Sequence, residues 1–259
     1  MIEIYNIILY RPLFNLLIFF YNTISFQDVG IAIILVTVVI KLILYPLSVK
    51  SIKAQKALQD LQPKMDSIKQ KYKNNKEQLG KAMMELYKTE KISPVSSCLP
   101  LLIQFPFLIA VYNVFRVGFK PESLDMLYGF IHNPNTLNPV AFGFLNLAEK
   151  NIVLAVLAGA AQFWSSKMLI SKKQPKVSSA KDEGMTTIMN KQMLYFMPAI
   201  TIFFGISLPG GLTFYWFLTT VLTALQQLRL SKKHDKDVKI EIPKDVKSAN
   251  TEEIKGIEK

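Results

Sequence analysis

Residues 36–47 read VTVVIKLILYPL, an apolar run with one lysine, Lys41, inside it. A charge in such a run is tolerated only where water or a partner group meets it. Working outward, half of the 259 residues are hydrophobic, the mean hydropathy is +0.24 and the net charge is +12. That combination indicates a polytopic membrane protein. The basic residues fall between long apolar segments, so they read first as orienting the chain in a bilayer rather than as a nucleic-acid surface. One cysteine, Cys98, excludes an intramolecular disulfide. The two histidines, His132 and His234, lie far apart and away from any Cys or carboxylate cluster, which gives no metal-site spacing. No GxGxxG, P-loop, GxSxG or HExxH pattern occurs. No catalytic residue, cofactor or metal is therefore expected.

About 20 apolar residues cross a hydrocarbon core as a helix, fewer where the bilayer thins. Five segments qualify, at 29–47, 98–115, 152–170, 193–208 and 212–228. The last two are not one helix, because LPGG at 208–211 places Pro209, Gly210 and Gly211 between them and predicts a tight hairpin. Charge on the connections sets the orientation. Residues 50–93 hold 11 lysines against 5 acids (+6), and 117–150 hold 2 against 3 (−1). Residues 167–191 hold 6 against 2 (+4), and the tail from 229 holds 9 basic residues against 7 acids (+2). The signs alternate as five spans require, with the N-terminus outside and the C-terminus in the cytoplasm.

The expected fold class is all-α: five transmembrane helices with a cytoplasmic helical hairpin between the first two. Residues 1–28 form an interfacial amphipathic helix, since the apolar part of RPLFNLLIFFYNTI is interrupted by Asn15 and Asn22; a sixth span from Ile2 is the alternative. A cleaved signal peptide is disfavoured by Glu3 and by the lack of a small-residue cleavage site. The spans then occupy 29–49, 97–117, 151–170, 192–208 and 212–228. Between them lie an external loop at 118–150 and a cytoplasmic loop at 171–191, and a charged, disordered tail follows at 229–259. Residues 50–93 carry two stripes of coiled-coil spacing, Leu58, Leu61, Met65, Ile68 and Tyr72, then Leu79, Met83 and Leu86. Joined by the polar turn KNNKEQ, they predict an antiparallel hairpin in which Pro63 marks a break or restart of the first arm.

Lys41 stands nine residues before Lys50, about 13 Å inside the cytoplasmic boundary by helical rise, a depth that snorkelling recovers only in part. No acid lies in the other four spans, so a buried ion pair in the bilayer is not available and a hydrated cavity is the remaining reading. Thr37 is one turn before Lys41 on the same face. Gln104 in the second span, Gln162, Ser165 and Ser166 in the third, and Thr213, Thr219 and Thr223 in the fifth are candidate linings; each can equally be a helix-to-helix hydrogen bond.

Three stretches together carry a resemblance: PLSVKSIKAQKALQDLQPKMDSIKQKYK, then LYKTEKISP followed by CLPLLIQFPFLIAVY, then MPAITIFFGISLPGGLTFYWFLTTVLTALQQ. In unbroken order over about residues 11–230, the chain resembles the YidC and Oxa family of membrane protein insertases. The resemblance implies a five-span core and a hydrophilic groove, open to the cytoplasm and to lipid but closed outside, that attracts the translocated part of a nascent membrane protein. It implies a substrate groove that includes Lys41, Thr37, Gln162 or Ser165, Tyr215 and Trp216, to which the reading of the polar groups in the spans adds Gln104. Lys41 stands where the family usually has arginine, a departure because arginine keeps its charge when desolvated. Gln162 or Ser165 stands in for a groove glutamine. Tyr215 and Trp216 match an aromatic pair on the substrate path, with interfacial anchoring the other reading of Trp216. The missing external domain and the missing lipid-modified cysteine read as a minimal bacterial form in the cell membrane. Expected partners are nascent membrane proteins, the lipid bilayer, a ribosome and a Sec-type translocon, with the protein itself a monomer. A small-solute transporter or channel is the alternative, though no inverted repeat is detectable. A membrane enzyme finds no His, Asp or Glu in the spans.

Overall fold

The computed structural model describes residues 2–93, 99–117, 121–169 and 192–241, and these are mostly helical. The expected cytoplasmic loop at 171–191 and the tail beyond 241 lie outside them. The first helix, α1, comprises Ile2–Tyr5, a π-helical turn at Asn6–Tyr10 and Arg11–Thr23. A turn capped by Asp28, whose carboxylate accepts the Ile31 N–H, starts α2 at Val29–Ile43. Helix α3, Tyr45–Asp60, leaves α2 at a bend of 69° across Leu44. The cause is Pro46, which lacks a backbone N–H and clashes with the preceding turn. The apolar run at 29–47 is thus broken rather than straight.

In 50–93 two further helices follow α3 and contact each other. Helix α4, Gln62–Lys71, restarts with Pro63 in its first turn, and α5, Lys76–Thr89, begins at Asn75, whose side chain accepts the Gln78 N–H. Leu61 and Met65 are buried between them, Tyr87 Oη lies 3.9 Å from Met65 Sδ, and Lys64 pairs with Glu90 at 2.5 Å. Helix α6 is Leu99–Val117, followed by a 3-10 turn at Pro121–Met126. Two short antiparallel strands, β1 at Val140–Ala141 and β2 at Leu145–Asn146, add a small element to a fold expected to be all-α. Helix α7 is Ile152–Leu169; a π-helical turn at Gln192–Phe196 leads into α8, Met197–Ser207. Helix α9, Gly210–Glu241, runs into the segment where a disordered tail is expected. Nothing in 229–241 breaks a helix, and the first residue that does is Pro243.

By length and apolarity, Glu3–Thr23 is the one helix among the described residues able to cross a membrane unaided. The bent α2–α3 pair qualifies only if counted as one span, and the apolar helices at Ile152–Met168 and Leu194–Ser207 are shorter. At 1.5 Å per residue α8 is only about 16 Å long.

The ends of α2, α7, α8 and α9 gather on one side. Phe142 N donates to Asp28 Oδ2 at 2.5 Å, Gly210 N to Glu149 O at 2.7 Å and Gly211 N to Leu147 O at 2.8 Å. A Cβ on Gly210 would stand 2.8 Å from Glu149 O, so glycine is needed there for close backbone approach. The core between α1, α2, α6 and α9 holds Phe14, Ile18, Val29, Leu212 and Tyr215. Helices α7 and α8 instead meet through small residues: a Cβ on Gly205 would lie 2.9 Å from Ala155 Cβ. Such contacts let backbones pack closely where lipid removes the hydrophobic drive. Gly205→Val is expected to push α7 from α8 and to cost about 1–3 kcal/mol, read as an earlier thermal transition in detergent; an unchanged transition would show that the helices separate freely.

Candidate functional site

The polar residues of α9 recur at Tyr215, Thr219, Thr223 and Gln226, spacings of four, four and three that put them on one face. Helix α9 as a whole packs against α2, α3, α6 and α7. Lys41 is half-buried, and its Nζ donates to Thr223 Oγ1 at 2.7 Å. Thr223 Oγ1 in turn donates to Thr219 O at 2.7 Å, so it is left free to accept from Lys41. Among the described residues no carboxylate pairs with Lys41. The ammonium has three donors and one short hydrogen bond to a neutral hydroxyl, which leaves capacity for water or an incoming anion.

The seam continues across the bend. Ser48 Oγ on α3 hydrogen-bonds Gln226 Oε1 at 2.9 Å, and Ser165 Oγ on α7 hydrogen-bonds Gln227 Oε1 at 3.1 Å. One turn along α3 from Ser48, the buried Ser51 hydroxyl has no hydrogen-bond partner among the described residues. Toward the other end, Gln104 Nε2 donates to Tyr215 Oη at 2.7 Å, and Tyr215 is fully buried. Helix α9 thus carries a continuous row of hydrogen bonds to α6, α2, α3 and α7.

Of the expected site residues, Lys41, Gln104, Ser165 and Tyr215 join this row directly. Thr37 is fully buried one turn from Lys41, but its hydroxyl donates to Ile33 O within its own helix at 2.6 Å. Gln162 lies three residues before Ser165 on the same face of α7 and is half-buried. Trp216 is also half-buried, and its carbonyl accepts the Thr219 and Thr220 hydroxyls at 2.9 Å each. Ser48, Gln226 and Gln227 escaped the sequence reading as site residues. The signal for the glutamines was their place three and four residues after Thr223 in TALQQ; Ser48 lies past a proline where the helix phase is lost.

Beside Lys41, Leu42 and Ile43 are exposed at 66% and 69% and Tyr45 at 49%. The row therefore runs next to an apolar flank rather than inside a closed core. No group of three or more His, Cys, Asp or Glu able to hold a metal ion occurs among the described residues.

Comparison with known proteins adds the family context. Residues 19–237 match the model of the family described as 60Kd inner membrane protein. A protein of Fusobacterium nucleatum, named membrane protein insertase YidC, is 33% identical over 227 residues that cover 87% of this chain and 98% of the relative. Proteins of the same name from Geobacter metallireducens and Rickettsia africae are each 34% identical, over 86% and 87% of this chain. The chain spans only 36% and 39% of those two relatives.

Proposed function

The chain belongs to the 60Kd inner membrane protein family, and from that premise we propose that it is a membrane protein insertase, one that inserts nascent integral membrane proteins into the bacterial cell membrane and helps them fold. The observation that carries the reading is Lys41, a cation with no acidic partner among the described residues, held by Thr223 in a row of polar groups bordered by exposed apolar side chains. In this reading α2, α6, α7, α8 and α9 cross the membrane, the α4–α5 hairpin lies in the cytoplasm, the N-terminus is outside and the chain acts as a monomer. Helix α1 lies along the outer interface, where Phe19 and Ile24 face lipid.

A hydrophilic stretch of substrate enters the row from the cytoplasmic side at Ser48, Gln226 and Gln227, whose hydrogen bonds it exchanges one for one. An acidic group on it reaches Lys41 in place of Thr223, since a carboxylate is the stronger acceptor. The row then replaces part of the water that the substrate leaves, and the short α7 and α8 thin the bilayer that remains to be crossed. The substrate's apolar segment moves into lipid past Leu42 and Ile43. Its transfer, at about 25 cal/mol per Å² of apolar surface, drives the step without hydrolysis, so no catalytic residue is assigned. Gln162 and Trp216 serve as outer lining of the same path. The test is reconstitution in liposomes followed by protease protection of a short single-span substrate. Protected product at levels above empty liposomes is expected, and solute flux with no insertion would favour a transporter instead.

The hairpin recruits the ribosome or the nascent chain. Lys71, Lys73, Lys76, Lys81, Lys88 and Lys91 are exposed on it, and ribosomal RNA is a polyanion. Binding of ribosomes to the reconstituted protein is expected to fall steeply and log-linearly with added salt. Salt-insensitive binding would remove RNA from the account. A Sec-type translocon is a partner in the same proposal.

A further inference from the structure

Away from the hairpin, at the end where α2 begins and α8 turns into α9, three separate turns each put a phenylalanine into the open. Phe26 in the α1–α2 turn is 95% exposed, Phe130 after the 3-10 turn 82%, and Phe144 at the tip of the β1–β2 hairpin 81%. Such exposure of so large an apolar ring is unfavourable in water. The backbone does not relax to hide them. Phe26 and Gln27 both hold positive φ, 52° and 61°, and Phe142 at the base of the hairpin holds 54°. For bulky residues this is an uncommon and strained conformation that the surrounding contacts must impose.

Those contacts are on view. The α1–α2 turn is held by Gln27 N on Tyr21 O at 3.2 Å and Asp28 N on Ser25 O at 2.8 Å. The hairpin is tied to the same turn by Phe142 N on Asp28 Oδ2, and the Phe142 ring packs against Phe214 at 5.9 Å. Phe130 stacks on Tyr128 at 5.6 Å, and Arg11 of α1 lies over that tyrosine at 4.9 Å. Three turns from different parts of the chain are thus braced on α1 and α2 with one ring from each directed outward.

We propose that Phe26, Phe130 and Phe144 form an anchor that inserts into the interfacial region of the outer leaflet and fixes the depth at which the bundle sits. Two observations favour lipid over a second copy of the chain. The apolar flank leads straight to the tips: Ile24, two residues before Phe26, and Ile152 and Val153 at the start of α7 are all exposed. Beside the tips, Gln27, His132, Asn133 and Gly143 are exposed as well, so the rings stand among polar backbone and side-chain groups and not in a wholly apolar surface. Exposed rings among polar groups suit the headgroup boundary, where amphipathic surfaces gain from both sides. Anchored rings hold the outer leaflet down onto α7 and α8, whose lengths fall short of a full bilayer. The inference rests on the reading that the bundle is embedded in the membrane, and it needs no insertion activity.

The experiment uses the full chain in lipid nanodiscs. In a Cys98→Ser background, nitroxide labels are placed one at a time through Phe26→Cys, Phe130→Cys and Phe144→Cys, with exposed Asn135→Cys as the aqueous reference at the same end. Only variants that elute as the parent does in detergent are used. The ratio of collisions with oxygen to collisions with a water-soluble nickel chelate is expected to be severalfold higher at the three tips than at residue 135. Tips as accessible to nickel as residue 135 would overturn the anchor, and so would spin–spin broadening that grows with protein density, since a second copy would then cover them. Labels in the hydrocarbon-facing flank at Ile43→Cys test embedding separately: oxygen-rich there but nickel-rich at the tips, the bundle is in the membrane and the anchor alone is wrong.

Discussion

Lys41→Leu is expected to slow insertion of a short single-span substrate with an acidic outer segment by more than tenfold, while Lys41→Arg retains most of the activity. The leucine side chain is shorter and uncharged and should make α2 a better span, because a charge near mid-membrane costs roughly 2.5–3.5 kcal/mol on insertion scales. A protein that carries Lys41 forgoes that gain, and its ammonium is met by one threonine hydroxyl and by no carboxylate among the described residues. The proposed return is in the barrier. An acidic group of the substrate passing the same depth would meet a comparable cost unless the ammonium stands there. Should the ammonium offset about 2 kcal/mol of it, its removal slows insertion by more than tenfold, since about 1.4 kcal/mol is a factor of ten in rate. Arginine restores the charge with a longer, forked donor set that also reaches Thr223. The measurement is protease-protected substrate in liposomes at matched protein density, with a thermal transition to verify the fold. Leucine as active as wild type would assign the work to the shape and water of the row, and leave Lys41 as a snorkelling residue. Thr223→Val separates the two further: the ammonium keeps its charge but loses its acceptor, so activity should persist.

How much of this could be read in the chain differs from element to element. The hydropathy of 152–170 and 193–208 gave α7 and α8 within a few residues, because burial in lipid or in protein demands the same apolar composition. Pro209-Gly210-Gly211 marked the α8–α9 turn, and Pro63 marked the restart of α4, since proline and glycine act on the backbone locally. Pro46 carried an equally local signal, yet the apolar run around it masked the bend between α2 and α3. Lys41 stood out as a charge in an apolar segment, whereas its acceptor did not, for Thr223 lies 182 residues away and nothing periodic links the two. The pairing of Ser48 with Gln226 and of Ser165 with Gln227 is hidden for the same reason. The segment at 121–150 was legible only as part of a loop; its attachment to α1 rests on side-chain contacts that span more than 100 residues.

The largest loss of stability from a single polar side chain is expected at Asn15. It is 1% exposed, yet it interrupts the apolar face of α1 beside Phe14 and Ile18. Its Nδ2 donates to Arg11 O at 2.8 Å and to Met126 O at 3.2 Å, and its Oδ1 accepts from Tyr128 N at 2.7 Å. One amide thus satisfies both a donor and an acceptor of the segment that follows α6. Arg11 Nε also donates to Met126 O, so that carbonyl keeps a partner when Asn15 is removed. Tyr128 N does not. An orphaned buried N–H costs about 1–3 kcal/mol, and each further hydrogen bond lost about 1 kcal/mol more. Asn15→Leu is therefore expected to cost about 2–4 kcal/mol overall, with a thermal transition in detergent several degrees lower and faster proteolysis within 121–138. Arg11→Met, which removes an exposed contact, should shift the same transition far less. Asn22 and Tyr21 continue the attachment, Asn22 Nδ2 donating to His132 O at 2.6 Å and Tyr21 Oη accepting from Asn138 N at 3.2 Å. Because these two remain in Asn15→Leu, the loop should loosen at 126–128 and hold at 132–138, which hydrogen exchange resolves. Equal exchange along the whole loop would mean that α1 holds it as a unit, and protection unchanged at Tyr128 would mean that the amide of Asn15 does not hold it at all.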